Sequence, residues 1–407
     1  MLIGLSLVAI VFSGCTDSAK VPTGVKFHLE TLKRFGIKGD NWCITWAIDG
    51  SQITSMDDGN WLVAEYWLKG GFNYHNRLYR VIGDADDFTA EEIQGYPHFT
   101  TRGHGWFGYG VLSVNGNIYS MVSRTPGPDW SGPFQGMKML KSPDNGETWF
   151  RVNRDGRERL LKPWDEARED STKEEMFFLK ESGVYRDGVK AYPFSYCSFV
   201  QNGQDNSAAR DEFVYIYSPE GAWSHRLLLA RVRNDAIERR DQWQYFGGWK
   251  DDEPTWTSDL DERDAVYEFP EINENGEYFG WYSWLPSVVW NPGLNLYIMV
   301  NGGTYAGHGL SGSAKDYYDN WMHTKTGSLG FWYSENPYGP WKQFFYTDYW
   351  VADHEENLTY QPKLSPKWIS EDGKRMVLIW SDAMKNEQGV SHKVNYRWNQ
   401  MEISISL

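Results

Sequence analysis

Four aspartates crowd residues 39–61, GDNWCITWAIDGSQITSMDDGNW: Asp40, Asp49, Asp57 and Asp58. Two carboxyl groups held side by side can break a glycosidic bond. One, kept protonated by burial and by its neighbour's charge, protonates the leaving oxygen, while the other serves as base or nucleophile. Aspartates also cap turns and accept backbone N–H bonds without doing chemistry. Which role each has depends on where the chain puts it.

The stretches around them repeat one pattern five times: strand, turn, strand, loop, strand, turn, strand. The first halves are NWCITWAIDGSQITSM, GYGVLSVNGNIYSMVS, FSYCSFVQNG with DEFVYIYS, PSVVWNPGLNLYIMVN and KLSPKWISEDGKRMVLIWS. Their turns fall at Asp49-Gly50, Asn115-Gly116, Asn202-Gly203, Pro292-Gly293 and Asp372-Gly373, residue types suited to positive φ. The second halves begin at RLYRVIGD, MKMLKSPDNG, LLLARVRND, LGFWYSENP and HKVNYRWNQ. Ser142 to Trp149, SPDNGETW, resembles the Asp-box of sialidase-type propellers, in which the Asp caps its own hairpin and the Trp packs beneath.

Five such units predict an all-β fold, a five-bladed β-propeller of four-stranded antiparallel blades spanning 37–407. A charged insertion, PWDEAREDSTKEEMFFLK from Pro163 to Lys180, is expected as a solvated loop or short helix between blades two and three. In such a blade the innermost strand starts at the ligand-binding mouth and the second returns to it. Asp49 is then at the far turn, while Asp40 and the pair Asp57-Asp58 meet at the mouth. Alternation along the strand should send Asp57 and Asp58 to opposite faces, leaving one inward. Equivalent mouth positions in other blades hold His104 and Trp106, Ser123 and Arg124, Tyr282 and Trp284, Asn301, Glu355 and Glu356, and Ser381 and Asp382. Substrate contacts are expected at Trp42, Trp61, His104, Trp106, Arg124, Tyr282, Trp284, Glu356 and Asp382.

Composition narrows the ligand. Lys and Arg number 40 against 55 Asp and Glu, a formal charge of -15, which argues against nucleic acid or an anionic membrane surface as partner. The chain has 22 Trp and 25 Tyr. That exceeds what a core needs and leaves rings for sugars to stack on, so a polysaccharide or oligosaccharide is the expected partner of a monomer. No zinc-type His/Cys spacing, phosphate-binding glycine loop or Gly-x-Ser-x-Gly elbow occurs. No cofactor is therefore expected, although calcium held by the acidic mouth is left open.

Residues 1–14, MLIGLSLVAIVFSG, are uncharged and too short to span a bilayer, and they run into Cys15. Phe12-Ser13-Gly14-Cys15 resembles a bacterial lipobox. It implies a signal peptide over 1–14, lipidation of Cys15, a linker over 15–36 and a periplasmic or outer-membrane location with the lipid as the only membrane contact. Cys43 and Cys197, in strand-like apolar runs, read as buried free thiols.

Gly39-Asp40-Asn41-Trp42, Thr45-Trp46-Ala47, Asp49-Gly50 and Asp58-Gly59-Asn60 resemble the opening of propellers grouped as domain of unknown function 4185. So do ARDEFVYIYS (Ala209 to Ser218), LARV (Leu229 to Val232), PTWT (Pro254 to Thr257), PSVVWNPGL (Pro286 to Leu294) and YGPW (Tyr338 to Trp341). The resemblance spans nearly the whole chain after the leader, in order. It implies relationship to glycoside hydrolases acting inside D-arabinan, and by motif it implies Asp40 and Asp58 as the catalytic pair. Glu355, Glu356 or His104, at the mouths of other blades, are the substitutes that position offers should this pairing fail. A surface-anchored glycoside hydrolase is the leading expectation. A non-catalytic glycan-binding lipoprotein and a polysaccharide lyase using His104 or a mouth tyrosine are the alternatives.

Overall fold

The computed structural model describes residues 21–62, 73–100, 105–125, 134–163, 175–179, 184–186, 189–220, 223–270, 285–303, 328–347, 349–354, 357–384 and 395–407. They form a five-bladed β-propeller. Its blades are antiparallel sheets whose first two strands are the predicted hairpins. These are Ile44–Trp46 with Gln52–Asn60, Trp106–Val114 with Asn117–Arg124, Ser198–Phe199 with Phe213–Glu220, Ser287–Asn291 with Leu296–Gly303, and Asn357–Ile369 with Arg375–Met384. Sheets of four to six strands result because some outer strands are added and others broken. In blade one the innermost strand is itself split into Lys38–Asp40 and Ile44–Trp46, both paired with Gln52–Asn60.

Closure comes from the two ends of the chain. Gly24–Phe27 and Lys33–Phe35 both pair antiparallel with Trp398–Ser406, completing blade five. The propeller thus starts before position 37, and part of the expected linker is its outermost strand. Hydrogen bonds then tie each blade to the next. The Ser113 N–H donates to Thr45 Oγ1 at 2.9 Å, Gln201 Nε2 to the Val111 carbonyl at 2.8 Å and the Gln201 N–H to the Val288 carbonyl at 2.9 Å. The Leu364 N–H donates to Ser287 Oγ at 3.1 Å, and Ser365 Oγ to Gln52 Oε1 at 2.7 Å.

Apolar side chains fill the wedges between blades. Five clusters each draw on two adjacent blades: around Leu78 and Trp149, Met139 and Ile216, Tyr217 and Met299, Ile298 and Leu378, and Met56 and Trp398. Alternation explains this, since a strand residue facing away from one neighbour must face the other and both faces are dry. Each fully buried large side chain contributes about 1.5–3 kcal/mol.

Turn chemistry follows the sequence with one exception. Gly50, Asn115, Gly116, Gly203 and Gly373 have positive φ as expected, but Gly293 does not, and Asn295 takes the left-handed position of that turn (φ 57°). The Asp-box forms as expected. Asp144 accepts from the Thr148 N–H at 2.8 Å and Ser142 Oγ at 2.9 Å, and the buried Trp149 donates Nε1–H to the Gly146 carbonyl at 3.0 Å. The charged insertion is less solvated than its composition implies at its C-terminal end. Met176, Phe177 and Phe178 are buried, and Phe178 exchanges backbone hydrogen bonds with Met137. Residues 164–174 lie outside the described ones.

Candidate active site

At the mouth end of blade one the chain changes hand twice. Asn41 (φ 56°) and Asp58 (φ 49°) both occupy the left-handed region, a conformation that Asn and Asp tolerate best among residues with a Cβ. Phe194, Leu285 and Gln361 take the same conformation at the matching starts of blades three, four and five (φ 53°, 53° and 55°). For Phe and Leu that is costly, so the mouth holds backbone strain of the kind that collects at functional sites.

Asp40 and Asp57 are register partners across the first strand pair. Asp57 is fully enclosed. Its Oδ1 accepts from Asn76 Nδ2 at 2.8 Å and the Gly108 N–H at 3.0 Å, and its Oδ2 accepts from Asn41 Nδ2 at 2.8 Å. Burial first, and then the charge of Asp40, push its carboxyl well above the usual range, against the pull of those donors. Only glycine fits at position 108, where a Cβ would run into the Asn76 amide and Ser55 Oγ. Gly39 is held to φ +153° with the Met56 side chain where a Cβ would be, which brings Asp40 to its place.

Asp58 differs from its neighbour. Its side chain is 38% exposed and approaches buried His75 (Nδ1 to Oδ1, 3.4 Å), whose ring packs 5.0 Å from Phe107 of blade two. The left-handed residue breaks the expected alternation, and partners of both Asp57 and Asp58 lie toward blade two. One aspartate is thus locked by three donors, while Asp58 opens to solvent.

Tyr109, Tyr196, Cys43 and Lys363 complete the surroundings. Burial raises the Tyr109 hydroxyl well above its ordinary value, and Asp57, Asp40 and Asp58 raise it further. Its ring lies 5.7 Å from Tyr196 and 5.0 Å from Phe134. Lys363, from the innermost strand of blade five, is buried and donates Nζ to the Leu285 carbonyl at 3.1 Å. Burial lowers its pKa, while Cys43, Asp40 and Asp57 oppose that shift. Cys43 and Cys197 are buried free thiols, as read from the sequence, and burial pushes Cys43 up to about 12. Lys363, Tyr109 and Tyr196 were not legible as site residues. The one available signal was a polar residue at an inward position of an otherwise apolar strand.

Several expected sugar contacts belong to the core. Trp42, Trp61 and Trp106 are almost wholly buried. Trp42 packs 5.0 Å from Trp61 and 5.3 Å from Trp398, and donates Nε1–H to Ser381 Oγ at 2.8 Å. Lys138 lies over Trp106 at 4.4 Å. These rings face the wedges between blades, where the large apolar area of Trp is worth most. Asp382 is also buried, accepting from Thr359 Oγ1 at 2.7 Å and Trp380 Nε1 at 3.2 Å, and burial raises its carboxyl to about 7. Enclosed this way, it is not a surface contact. Arg124 ends its strand half-buried at the mouth of blade two. His104, Tyr282, Trp284, Glu355, Glu356 and Cys15 lie outside the described residues. Among the described residues no three His, Cys, Asp or Glu side chains cluster as metal ligands.

At the far end, Asp49 does more than shape its own hairpin. Its Oδ1 accepts from the Ser51 N–H and Oγ, and its Oδ2 pairs with Arg80 at 2.5 Å and accepts from Asn145 of blade two at 2.7 Å.

No family model matches the chain, and no curated protein matches it. Solved structures do resemble it. A Bacteroides ovatus protein described as a hydrolase is 14% identical with a TM-score of 0.49, over 91% of this chain and 87% of that one. A native arabinanase of Bacillus subtilis is 10% identical with a TM-score of 0.43, over 92% and 96%. A GH43 β-1,3-galactosidase solved with galactodeoxynojirimycin is 11% identical with a TM-score of 0.42, over 88% and 96%.

Proposed function

We propose that this chain is a glycoside hydrolase of an extracellular polysaccharide, exported and held at the bacterial cell envelope by lipid on Cys15, and working as a monomer. One observation carries the reading: the first blade gathers Asp40, Asp57 and Asp58 at one end of the propeller, beside Tyr109 and a buried lysine. Asp40 and Asp58 divide the roles of proton donor and base, since Asp57 has both oxygens engaged by amide donors and cannot turn toward a substrate. Asp57 instead holds Asn41, Asn76 and Gly108 around the pair. Burial keeps the Tyr109 hydroxyl protonated at neutral pH beside these carboxyl groups. The resemblance of the opening motif to the 4185-type propellers supports the same pair, and the acidic balance favours a neutral glycan.

The test is incubation of the soluble mature chain with a glycan panel, products being detected by mass spectrometry. Release of oligosaccharides by the wild type, lost in both Asp40→Asn and Asp58→Asn, supports the reading. Binding without release by any of the three proteins refutes it in favour of a non-catalytic glycan-binding lipoprotein.

A further inference from the structure

Trp249 is 40% exposed, whereas eight other tryptophans rank among the most fully buried large side chains or their equals in the described residues. A local device turns it outward. The pairing of Gln244–Lys250 with Glu253–Thr257 shifts register between Phe246 and Trp249, across Gly247-Gly248, and this bulge re-aims the side chain that follows. The exposed ring is nonetheless held. Phe246 meets it edge-on at 5.4 Å, and Tyr338, from the far-side turn of blade four, lies 6.3 Å away.

Aromatic rings continue between blades three and four at differing tilts, Trp249 and Tyr338 inclined by 54°. Tyr338 meets Trp256 edge-on at 6.2 Å, and both rings are partly exposed. Behind Trp256 the Arg231 guanidinium is sandwiched, 3.9 Å from that ring and 4.1 Å from Phe213. This cation–π stack fixes the indole from its inner side. The fringe is acidic, with Asp211 and Glu253 both exposed; burial first, and then these two carboxyl groups, raise the Tyr338 hydroxyl against the pull of Arg231.

We propose that Trp249, Tyr338 and Trp256 form a second glycan-binding surface, on the outer flank of blades three and four away from the carboxylates of blade one, for a neutral polysaccharide chain. Rigid aromatic faces stack on the C–H faces of sugars, and carboxyl groups at the rim accept hydrogen bonds from hydroxyls. A polyanion would meet Asp211, Glu253 and the net charge of -15. The surface shares only its ligand class with the proposed function and needs no turnover.

Affinity electrophoresis in gels containing arabinan, arabinoxylan or polygalacturonate tests it, with wild type, Trp249→Ala, Trp256→Phe and Asp40→Asn. Expected is retardation of the wild type by a neutral polymer and not by polygalacturonate, binding about tenfold weaker in Trp249→Ala, and full retention in Asp40→Asn. Turnover of short oligosaccharides should be unchanged in Trp249→Ala, which separates this surface from the active site. No retardation of the wild type, equal retardation of Trp249→Ala, or preference for polygalacturonate would overturn the proposal. So would a wild-type dimer in size exclusion that Trp249→Ala disperses, because the ring would then be covered by a second copy. Failure of Asp40→Asn to lose turnover bears on the proposed function alone.

Discussion

The Asp57 carboxylate accepts the backbone N–H of Gly108 at 3.0 Å, fastening the mouth of blade one to the innermost strand of blade two. With Asn76 on the same oxygen and Asn41 on the other, it is a structural hub. Replacing it by Ala strips the buried Gly108 N–H of its acceptor and leaves the Asn41 amide with only the Gly108 carbonyl and the Asn76 amide with Ser55 Oγ. Asp57→Ala should lose about 2–4 kcal/mol of stability in urea denaturation. A loss under about 0.5 kcal/mol would mean that the donors find other partners.

Asp40→Asn and Asp58→Asn should each reduce turnover by about 10²–10⁴-fold. The half-exposed Asp58 variant should keep the wild-type melting temperature. Asp49→Asn should leave turnover intact but lose about 0.5–1 kcal/mol, because it gives up the Arg80 ion pair and an acceptor for Asn145. Steady-state kinetics and thermal melts on the three variants separate chemistry from scaffolding.

Asp382 gives a pH signature. Burial raises its carboxyl from the ordinary 3.8 to about 7 in the folded state. The folded protein therefore holds this proton more tightly than the unfolded chain. Its penalty is absent below about pH 4, grows through the window up to about pH 7 and is constant above it. Asp382→Asn cannot ionise. The stability of that variant relative to wild type should rise between pH 4 and 7, read as a growing gap between their urea midpoints. A pH-independent difference would show that the carboxyl titrates normally.

The Asp-box should be purely structural. Asp144→Ala removes the acceptor of the Thr148 N–H and Ser142 Oγ and should cost about 1–2 kcal/mol. Trp149→Ala, at a fully buried position, should cost about 3–5 kcal/mol. Both variants should turn over substrate normally when assayed well below their melting temperatures.

Cys15→Ser should move the protein from the membrane fraction to the soluble fraction without changing its melt, since lipid on this residue is the only anchor proposed. Retention in the membrane fraction would reveal another attachment.

The blade count, the hairpins and the Asp-box were legible in the sequence because period-two alternation and turn residues act locally. A strand needs only its own pattern to declare a face, and Asn115-Gly116 or Asp144-Asn145-Gly146 needs only its own backbone to turn. Asp40 and Asp57-Asp58 could be brought to one end of a blade by the same arithmetic. What alternation could not settle was the side chains beyond that point. The left-handed Asp58 cancels the alternation that would have opposed it to Asp57, and the three donors on Asp57 come from three separate strands or loops. Lys363 comes within electrostatic range of Asp40 and Asp57 from more than three hundred residues away, and Trp42, Trp61 and Trp106 turn into wedges that exist only once blades pack. Burial and charge partners depend on which strands become neighbours across blades, and that is decided by closing the ring through Gly24–Phe27 and Trp398–Ser406.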